Sequence, residues 1–405
     1  MKNININEIS SSCAKCTTPT CSKYCKLGTK IPEILELIDA NEELKAAKLL
    51  FEGNPFPFVT GWLCDVGRKC YGNCIKNKLG EPVKYFEVER YLGDKYIDLI
   101  LNNNLELIDS KTAIIGGGIC GLTIAIRLIQ NGFKPTIYEK RSNLGGVLIN
   151  SLPEFRYSKE NINKVIQFIE NNSNVYYNKT FGDNLLINDL KDFENIVLST
   201  GAEYERKTLD GSYNAVSLLE NKQLLNSIKD KEVVVIGGGN TAFDIARSLN
   251  FNNNVKIVYR RDLKNAPASF NEINCALTEG VSVLELHSPK EIVEENNLIV
   301  GLKCEKTKLY DDGSSRLNFV GTNEFDIIKC DIIIEAIGSI CNYDYIKKEY
   351  PGIFNDKGWI ETNDNFMTSV NNLYVGGDLY YGPKDFNSAI YTGEKIVKDI
   401  LSRKE

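Results

Sequence analysis

Histidine is almost missing from this chain: His287 is the only one in 405 residues. A single imidazole argues against a histidine-built zinc centre and against a Ser-His catalytic pair. No apolar run approaches the roughly 20 residues that a membrane-spanning helix needs, so no membrane association is expected. Positive charge is in the minority, with 48 Lys and Arg against 54 Asp and Glu and a net charge of −6. That balance argues against nucleic acid as a partner, because a phosphate backbone calls for a basic face. Met1 to Ser12 is polar and Asn-rich, unlike a secretory leader, which leads us to expect a cytoplasmic protein.

What the chain does have is two dinucleotide-binding fingerprints. Its length, 42% hydrophobic content and 25% charged content suit a globular protein of roughly two or three domains. The first fingerprint is Gly116-x-Gly118-x-x-Gly121, entered from the apolar stretch Thr112 to Ile115 and followed by a helical pattern from Leu122 to Ile129. Glycines there let a pyrophosphate approach backbone N–H groups at a helix N-terminus. Glu139 ends a strand from Lys134 to Tyr138 and is placed to accept hydrogen bonds from both ribose hydroxyls while repelling a 2′-phosphate. The second fingerprint, Gly237-x-Gly239-x-x-Ala242, follows the strand Glu232 to Ile236 and opens a helix through Leu249. Its reading strand, Val255 to Tyr259, ends in Arg260 and Arg261 where the first has Glu139. Guanidinium groups bind phosphate through paired charge-assisted hydrogen bonds, so this site reads as selective for NADPH. Asp262 leaves NADH possible. The economical assignment is FAD at the first site and a nicotinamide nucleotide at the second, delivering hydride to the flavin.

Seven of the 12 cysteines fall between Cys13 and Cys74, in the groups Cys13-x2-Cys16-x4-Cys21-x3-Cys25 and Cys64-x5-Cys70-x3-Cys74. A helix is expected between the groups, from Pro32 to Leu50. In a reducing compartment such thiols bind metal or do redox work rather than pair as disulfides. Zinc and iron–sulfur both suit thiolates; two nucleotide sites alongside favour iron–sulfur, because the three together make a chain of redox centres. Two cubane clusters need eight ligands, so one must be something other than cysteine. The remaining Cys120, Cys275, Cys304, Cys330 and Cys341 read as buried structural thiols.

Over nearly its whole length the chain resembles the small subunit of glutamate synthase and its relatives, including the PreT-type subunit and N-terminal portion of dihydropyrimidine dehydrogenase. The residues that carry the resemblance are the cysteine spacings, Ile31-Pro32-Glu33, Thr60-Gly61, both fingerprints, Gly145-Gly146-Val147-Leu148, Pro153-Glu154-Phe155-Arg156 and Ser199-Thr200-Gly201. They continue through Gly237-Gly238-Gly239-Asn240-Thr241-Ala242 with Asp244, Tyr259-Arg260-Arg261, Ala336-Ile337-Gly338 and Gly376-Gly377-Asp378. The resemblance implies two 4Fe-4S clusters, one held by Cys13, Cys16, Cys21 and Cys74, the other by Cys25, Cys64, Cys70 and Glu89, the residue seven beyond Pro82. It implies that Gly145, Gly146, Gly377 and Asp378 contact FAD and that Asn240 and Thr241 belong to the second nucleotide site. Gly201 and Gly338 are implied to be where the chain crosses between nucleotide domains. Lys26, Trp62, Asp65 and Ser151 depart from the family pattern.

The expected architecture is α/β. A helical 4Fe-4S domain (1–108) precedes an FAD domain (109–201 and 338–405) with an NAD(P) domain (202–337) inserted in it, both nucleotide domains being Rossmann-like and of the glutathione-reductase type. The polar stretch Ile108 to Lys111 is the expected linker. Function is expected to be electron input: NADPH reduces FAD, and two clusters pass electrons to a catalytic partner subunit like that of glutamate synthase or dihydropyrimidine dehydrogenase, or to ferredoxin. The competing readings are a stand-alone disulfide or ferredoxin reductase and a non-enzymatic redox-sensing module. No side chain is singled out as catalytic.

Overall fold

A computed structural model of the chain describes residues 5–102, 106–202, 204–313 and 317–403. It divides into two compact units, the first comprising Met1–Ile149, Glu154–Glu203 and Cys341–Glu405, the second Asn150–Pro153 and Tyr204–Ile340. Among the described residues no helix is long and apolar enough to cross a membrane.

The front of the first unit is helical. Ile31, Ile34, Leu35 and Ile38 recur at helical spacing, and all four are buried in a core with Ala46, Ala47, Leu50, Val88 and Leu92. Each such aliphatic side chain contributes roughly 1.5–3 kcal/mol on burial. The helix expected from Pro32 to Leu50 is two helices, Ile31–Asp39 and Glu43–Gly53. Asn41 breaks it by adopting a left-handed φ of 59°, a conformation that asparagine tolerates better than most residues. The expected linker is also corrected: Ile108 to Lys111 belongs to the strand Ile108–Ile115. Register with its neighbour, Ile108 opposite Phe133 and Asp109 opposite Lys134, draws these polar residues into the sheet.

Behind the helices lies a five-stranded parallel sheet in the order Leu373–Val375, Asn195–Leu198, Ile108–Ile115, Phe133–Tyr138, Asn174–Tyr176. One register line crosses it through Val375, Leu198, Ile115, Tyr138 and Tyr176. Helix Ile119–Gln130 packs against the C-terminal helix Phe386–Ser402 so closely that a Cβ on Gly393 would lie 2.7 Å from Thr123 Cβ. Arg127 ties this layer to the helical front: it pairs with Glu394 at 2.7 Å and donates to the carbonyls of Phe51 and Glu52.

The second unit repeats the plan with strands Tyr213–Asn214, Ile332–Glu335, Glu232–Ile236, Asn254–Val258 and Ser282–Leu284 in that spatial order. Its register line runs through Asn214, Glu335, Ile236, Val258 and Leu284. An antiparallel sheet of His287–Glu295, Leu298–Tyr310 and Asn318–Lys329, which the sequence reading missed, is part of this unit.

Glu335 staples the second unit together. It is 1% exposed and accepts hydrogen bonds from Thr208 N–H and Oγ1, Leu209 N–H and Ser212 Oγ. Burial alone would raise its pKa, but the donors of Ser212, Thr208 and Leu209 outweigh burial and hold it below the ordinary glutamate value. Glu335→Gln, which turns an amide N–H toward those donors, should destabilise the protein by about 2–4 kcal/mol at neutral pH in urea unfolding. A carboxylate with a depressed folded pKa contributes stability above the unfolded value of about 4.3 and loses it as pH falls below that value. The gap between wild type and variant should therefore narrow on acidification below about pH 4; a constant gap would refute this account.

Candidate functional site

The register line of the first sheet decides which loops meet. Ile115, Leu198 and Val375 lie side by side, so the turns that follow them, Gly116 to Gly118, Ser199 to Gly201 and Gly376 to Asp378, emerge together at the carboxyl edge, where such sheets bind ligands. Gly116 has φ +102°, and a Cβ there would lie 2.5 Å from the Ser199 carbonyl oxygen. A Cβ on Gly121 would lie 2.1 Å from the Gly116 carbonyl, so helix and loop touch backbone to backbone. At Gly118 a Cβ would meet nothing within 4 Å. That open space above the N-terminus of helix Ile119–Gln130 is what an approaching pyrophosphate requires. Gly145 N–H donates to the Gly117 carbonyl, and a Cβ on Gly146 would lie 3.2 Å from Gly118 Cα, so both glycines pack on the loop.

Glu139 is buried, its Oε2 accepting from Gly117 N–H at 2.7 Å and its Oε1 from Arg141 N–H at 2.9 Å. A carboxylate offers about four acceptor sites, which leaves capacity for ribose hydroxyls. Asp378 follows Gly377 at the start of a short helix and accepts from Lys384 N–H through Oδ1. Burial pushes its pKa up to about 6.

The second unit reproduces this loop. A Cβ on Gly237, φ +145°, would lie 2.4 Å from the Ala336 carbonyl, and one on Gly239 would meet nothing within 4 Å. The Asn240 side chain accepts from Ser269 N–H and pins the segment after the paired arginines to the loop, while Thr241 follows it in the first turn of helix Asn240–Asn250. Arg260 is exposed, with its guanidinium 4.8 Å from the Phe319 ring; Arg261 lies 5.3 Å from the same ring and donates to the Leu317 carbonyl at 2.8 Å. Asp262 caps the short helix Leu263–Asn265 by accepting from Asn265 N–H, which turns it to a structural task. Gly201 and Gly338, with φ +78° and +102°, stand within three residues of where the chain leaves and re-enters the first unit.

In the helical front, Cys13, Cys16, Cys21, Cys70, Cys74 and Tyr85 line one cavity. Cys25, Cys64 and Glu89 lie within electrostatic reach of Cys70, which borders both groups. Burial pushes the Cys64 and Cys70 thiols well up, and the nearby Glu89 carboxylate and Cys25 raise them further. Glu89 itself is buried, and burial pushes its pKa up to about 7. Its Oε1 accepts from Thr60 Oγ1 at 2.6 Å and Asn54 Nδ2 at 3.1 Å, while Oε2 takes no hydrogen bond among the described residues. Among the described residues no three His, Cys, Asp or Glu side chains converge on a point that one metal ion could occupy.

Several of these contacts have no sequence signature. Thr60 and Asn54, which orient Glu89, and Asn387, which donates to Cys64 Sγ at 3.6 Å, come from distant segments. Of the family departures, Trp62 stacks under Arg90 with 3.9 Å from guanidinium carbon to ring centre, Lys26 lies 4.4 Å over the Tyr391 ring, and Asp65 pairs with Arg68 at 3.0 Å. Cys120, Cys304 and Cys330 are buried as expected, but Cys275 and Cys341 are only partly so, because Cys275 sits toward the surface of helix Phe270–Thr278 and Cys341 turns to the Asp378 carbonyl. His287 is held by the Glu285 carbonyl and Asp326, a structural role.

Two phosphate loops on two parallel sheets, preceded by a thiol-lined helical domain, define a two-nucleotide flavoprotein oxidoreductase with an iron–sulfur front end. Residues 110–393 match the family described as pyridine nucleotide-disulphide oxidoreductase, and residues 1–99 match the 4Fe-4S cluster domain II of dihydropyrimidine dehydrogenase. The chain is 30% identical to the glutamate synthase [NADPH] small chain of Escherichia coli K12, over 96% of its own length and 89% of that protein. It is 28% identical to the putative oxidoreductase YgfK of Escherichia coli O157:H7, over 96% of its length but only 38% of that longer protein. In fold it is similar to Mycobacterium tuberculosis FprA in complex with NADPH, with a TM-score of 0.59 and 18% identity over 74% of this chain and 86% of that one. The chain belongs to the pyridine nucleotide-disulphide oxidoreductase family, in the branch of the glutamate synthase small chain. It is an FAD-dependent, nicotinamide-nucleotide-linked oxidoreductase with an iron–sulfur domain.

Proposed function

We propose that the chain is an electron-input subunit, taking electrons from NADPH and passing them through FAD and two 4Fe-4S clusters to a separate catalytic subunit. A glutamate synthase large subunit or the catalytic part of dihydropyrimidine dehydrogenase exemplifies such a partner, and a ferredoxin could also serve. The observation that carries this reading is the seating of the flavin loop and the thiols in one compact unit, where Asn387, nine residues after Asp378, donates to Cys64 Sγ. When bound, the flavin would supply conversion of a two-electron hydride into single electrons, and the clusters would carry those electrons outward. In this reading Gly116, Gly118 and Gly121 admit the FAD pyrophosphate, Glu139 holds its ribose, and Gly145, Gly146, Gly377 and Asp378 face the rest of the cofactor. Gly237, Gly239, Asn240 and Thr241 seat the nicotinamide nucleotide, and Gly201 and Gly338 mark the crossings of a four-part division at 1–108, 109–201, 202–337 and 338–405. Cys13, Cys16, Cys21 and Cys74 hold one cluster; Cys25, Cys64, Cys70 and Glu89 hold the other. The cytoplasm, where such thiols stay reduced, is the compartment this chemistry suits.

Anaerobic addition of NADPH to the holoprotein tests the reading: flavin absorbance should bleach and cluster EPR signals should appear. Flavin that neither NADPH nor NADH reduces would refute it. Arg260, exposed two residues after the strand Asn254–Val258, is the residue proposed to meet the 2′-phosphate, with Arg261 in support. Replacing both by alanine should lower the preference for NADPH over NADH by about 10- to 100-fold, the worth of one or two charge-assisted hydrogen bonds. An unchanged ratio of kcat/KM values would remove the arginines from specificity.

A further inference from the structure

Tyr85 is the first residue of helix Tyr85–Lys95 and lies one turn before Glu89, on the same face. It is 3% exposed, and its hydroxyl is buried with no hydrogen-bond partner among the described residues. Leaving a buried hydroxyl unmatched costs about 1–3 kcal/mol, so such a group calls for an explanation. The side chain lines the cavity together with Cys13, Cys16, Cys21, Cys70 and Cys74, four of them in the first ligand set, and it is within electrostatic reach of Glu89, Cys25, Cys70 and Cys21. It thus stands where the two ligand sets adjoin. A phenol ordinarily ionises near pH 10, so at neutral pH the hydroxyl carries a proton to donate. The group can only act as a donor toward sulfur, and no cysteine sulfur is in hydrogen-bonding position.

We propose that the Tyr85 hydroxyl donates a hydrogen bond to a sulfur of the cluster held by Cys13, Cys16, Cys21 and Cys74, and thereby raises the reduction potential of that cluster above what thiolate ligation alone would set. The inference rests on the ligand sets given under Proposed function. Its physical basis is that an O–H dipole aimed at sulfur stabilises the more negative, reduced state.

The test is Tyr85→Phe, which removes the oxygen and leaves the ring. Both clusters are titrated in the intact, anaerobically prepared holoprotein by EPR-monitored potentiometry. The first cluster's signal is identified as the one missing in Cys21→Ser. Its midpoint should move to more negative potential by about 59 mV, a tenfold change in its one-electron equilibrium and the worth of one hydrogen bond to a charged acceptor. The other cluster should move less. Tyr85→Leu, which also lacks the hydroxyl, should shift the same signal in the same direction if Tyr85→Phe does not retain both clusters. An unmoved first midpoint in a variant with both signals present, or a shift confined to the second cluster, overturns the proposal while leaving the ligand sets standing. A wild-type protein with no cluster signals overturns both.

Discussion

Gly118→Leu should yield a folded protein that purifies without its yellow colour, whereas Gly239→Leu should stay yellow and lose reduction by NADPH. The two glycines are equivalent in the two phosphate loops, and neither needs its glycine for the fold. Gly118 has φ −73° and ψ −178°, Gly239 has φ −88° and ψ 170°, values any residue adopts, and a Cβ on either meets no atom of the described residues within 4 Å. The isobutyl group would project into the volume reserved for a pyrophosphate. Forcing a ligand against it costs about 3 kcal/mol, the upper part of the range for overpacking, or about 100-fold in affinity. Gly116 provides the contrast. With φ +102° and the Ser199 carbonyl 2.5 Å from the position of a Cβ, substitution there should impair folding itself. Flavin absorbance per mole of purified protein, with circular dichroism to verify folding, reads the outcome. A Gly118→Leu protein with full flavin content would show that the first loop does not hold FAD.

Cys21→Ser and Cys25→Ser should each lose about half of the iron, four atoms of eight, and each should lose a different EPR signal. The two residues are only four apart, at either end of helix Thr20–Tyr24, yet the structure turns them to different neighbourhoods. Cys21 lines the cavity with Cys13, Cys16, Cys70 and Cys74, which does not include Cys25, while Cys25 is within electrostatic reach of Cys64 and Cys70. Glu89→Ala should lose the same signal as Cys25→Ser. Glu89→Gln should retain that signal at a shifted potential, since an amide oxygen can still bind iron without bringing a negative charge. Metal analysis that found zinc, or an iron content untouched by either cysteine change, would refute the assignment.

The extent to which the sequence disclosed this architecture depended on how local each feature was. The strand Glu232–Ile236 and the two glycine turns were legible because strand, turn and helix N-terminus are contiguous in the chain. The break at Asn41 was not, because an apolar pattern of helical period continues across it and only backbone conformation reveals the left-handed residue. The antiparallel sheet of the second unit escaped for a related reason. Its strands alternate only loosely, with Leu302 and Cys304 buried but Gly301 interrupting the pattern between Val300 and Leu302.

By itself the sequence determined that this chain carries two dinucleotide loops, one ending in an acid and one in arginines, behind seven closely spaced thiols. Those properties follow from residue type and short spacing, which chemistry reads directly. Only the tertiary structure decided that Ile115, Leu198 and Val375 stand in one row, that Cys74 joins Cys13 across about 60 residues of chain, and that Glu89 is buried against Thr60 and Asn54. Sheet register and helix packing are set by the burial of apolar faces summed over the whole domain, and no single segment contains that information.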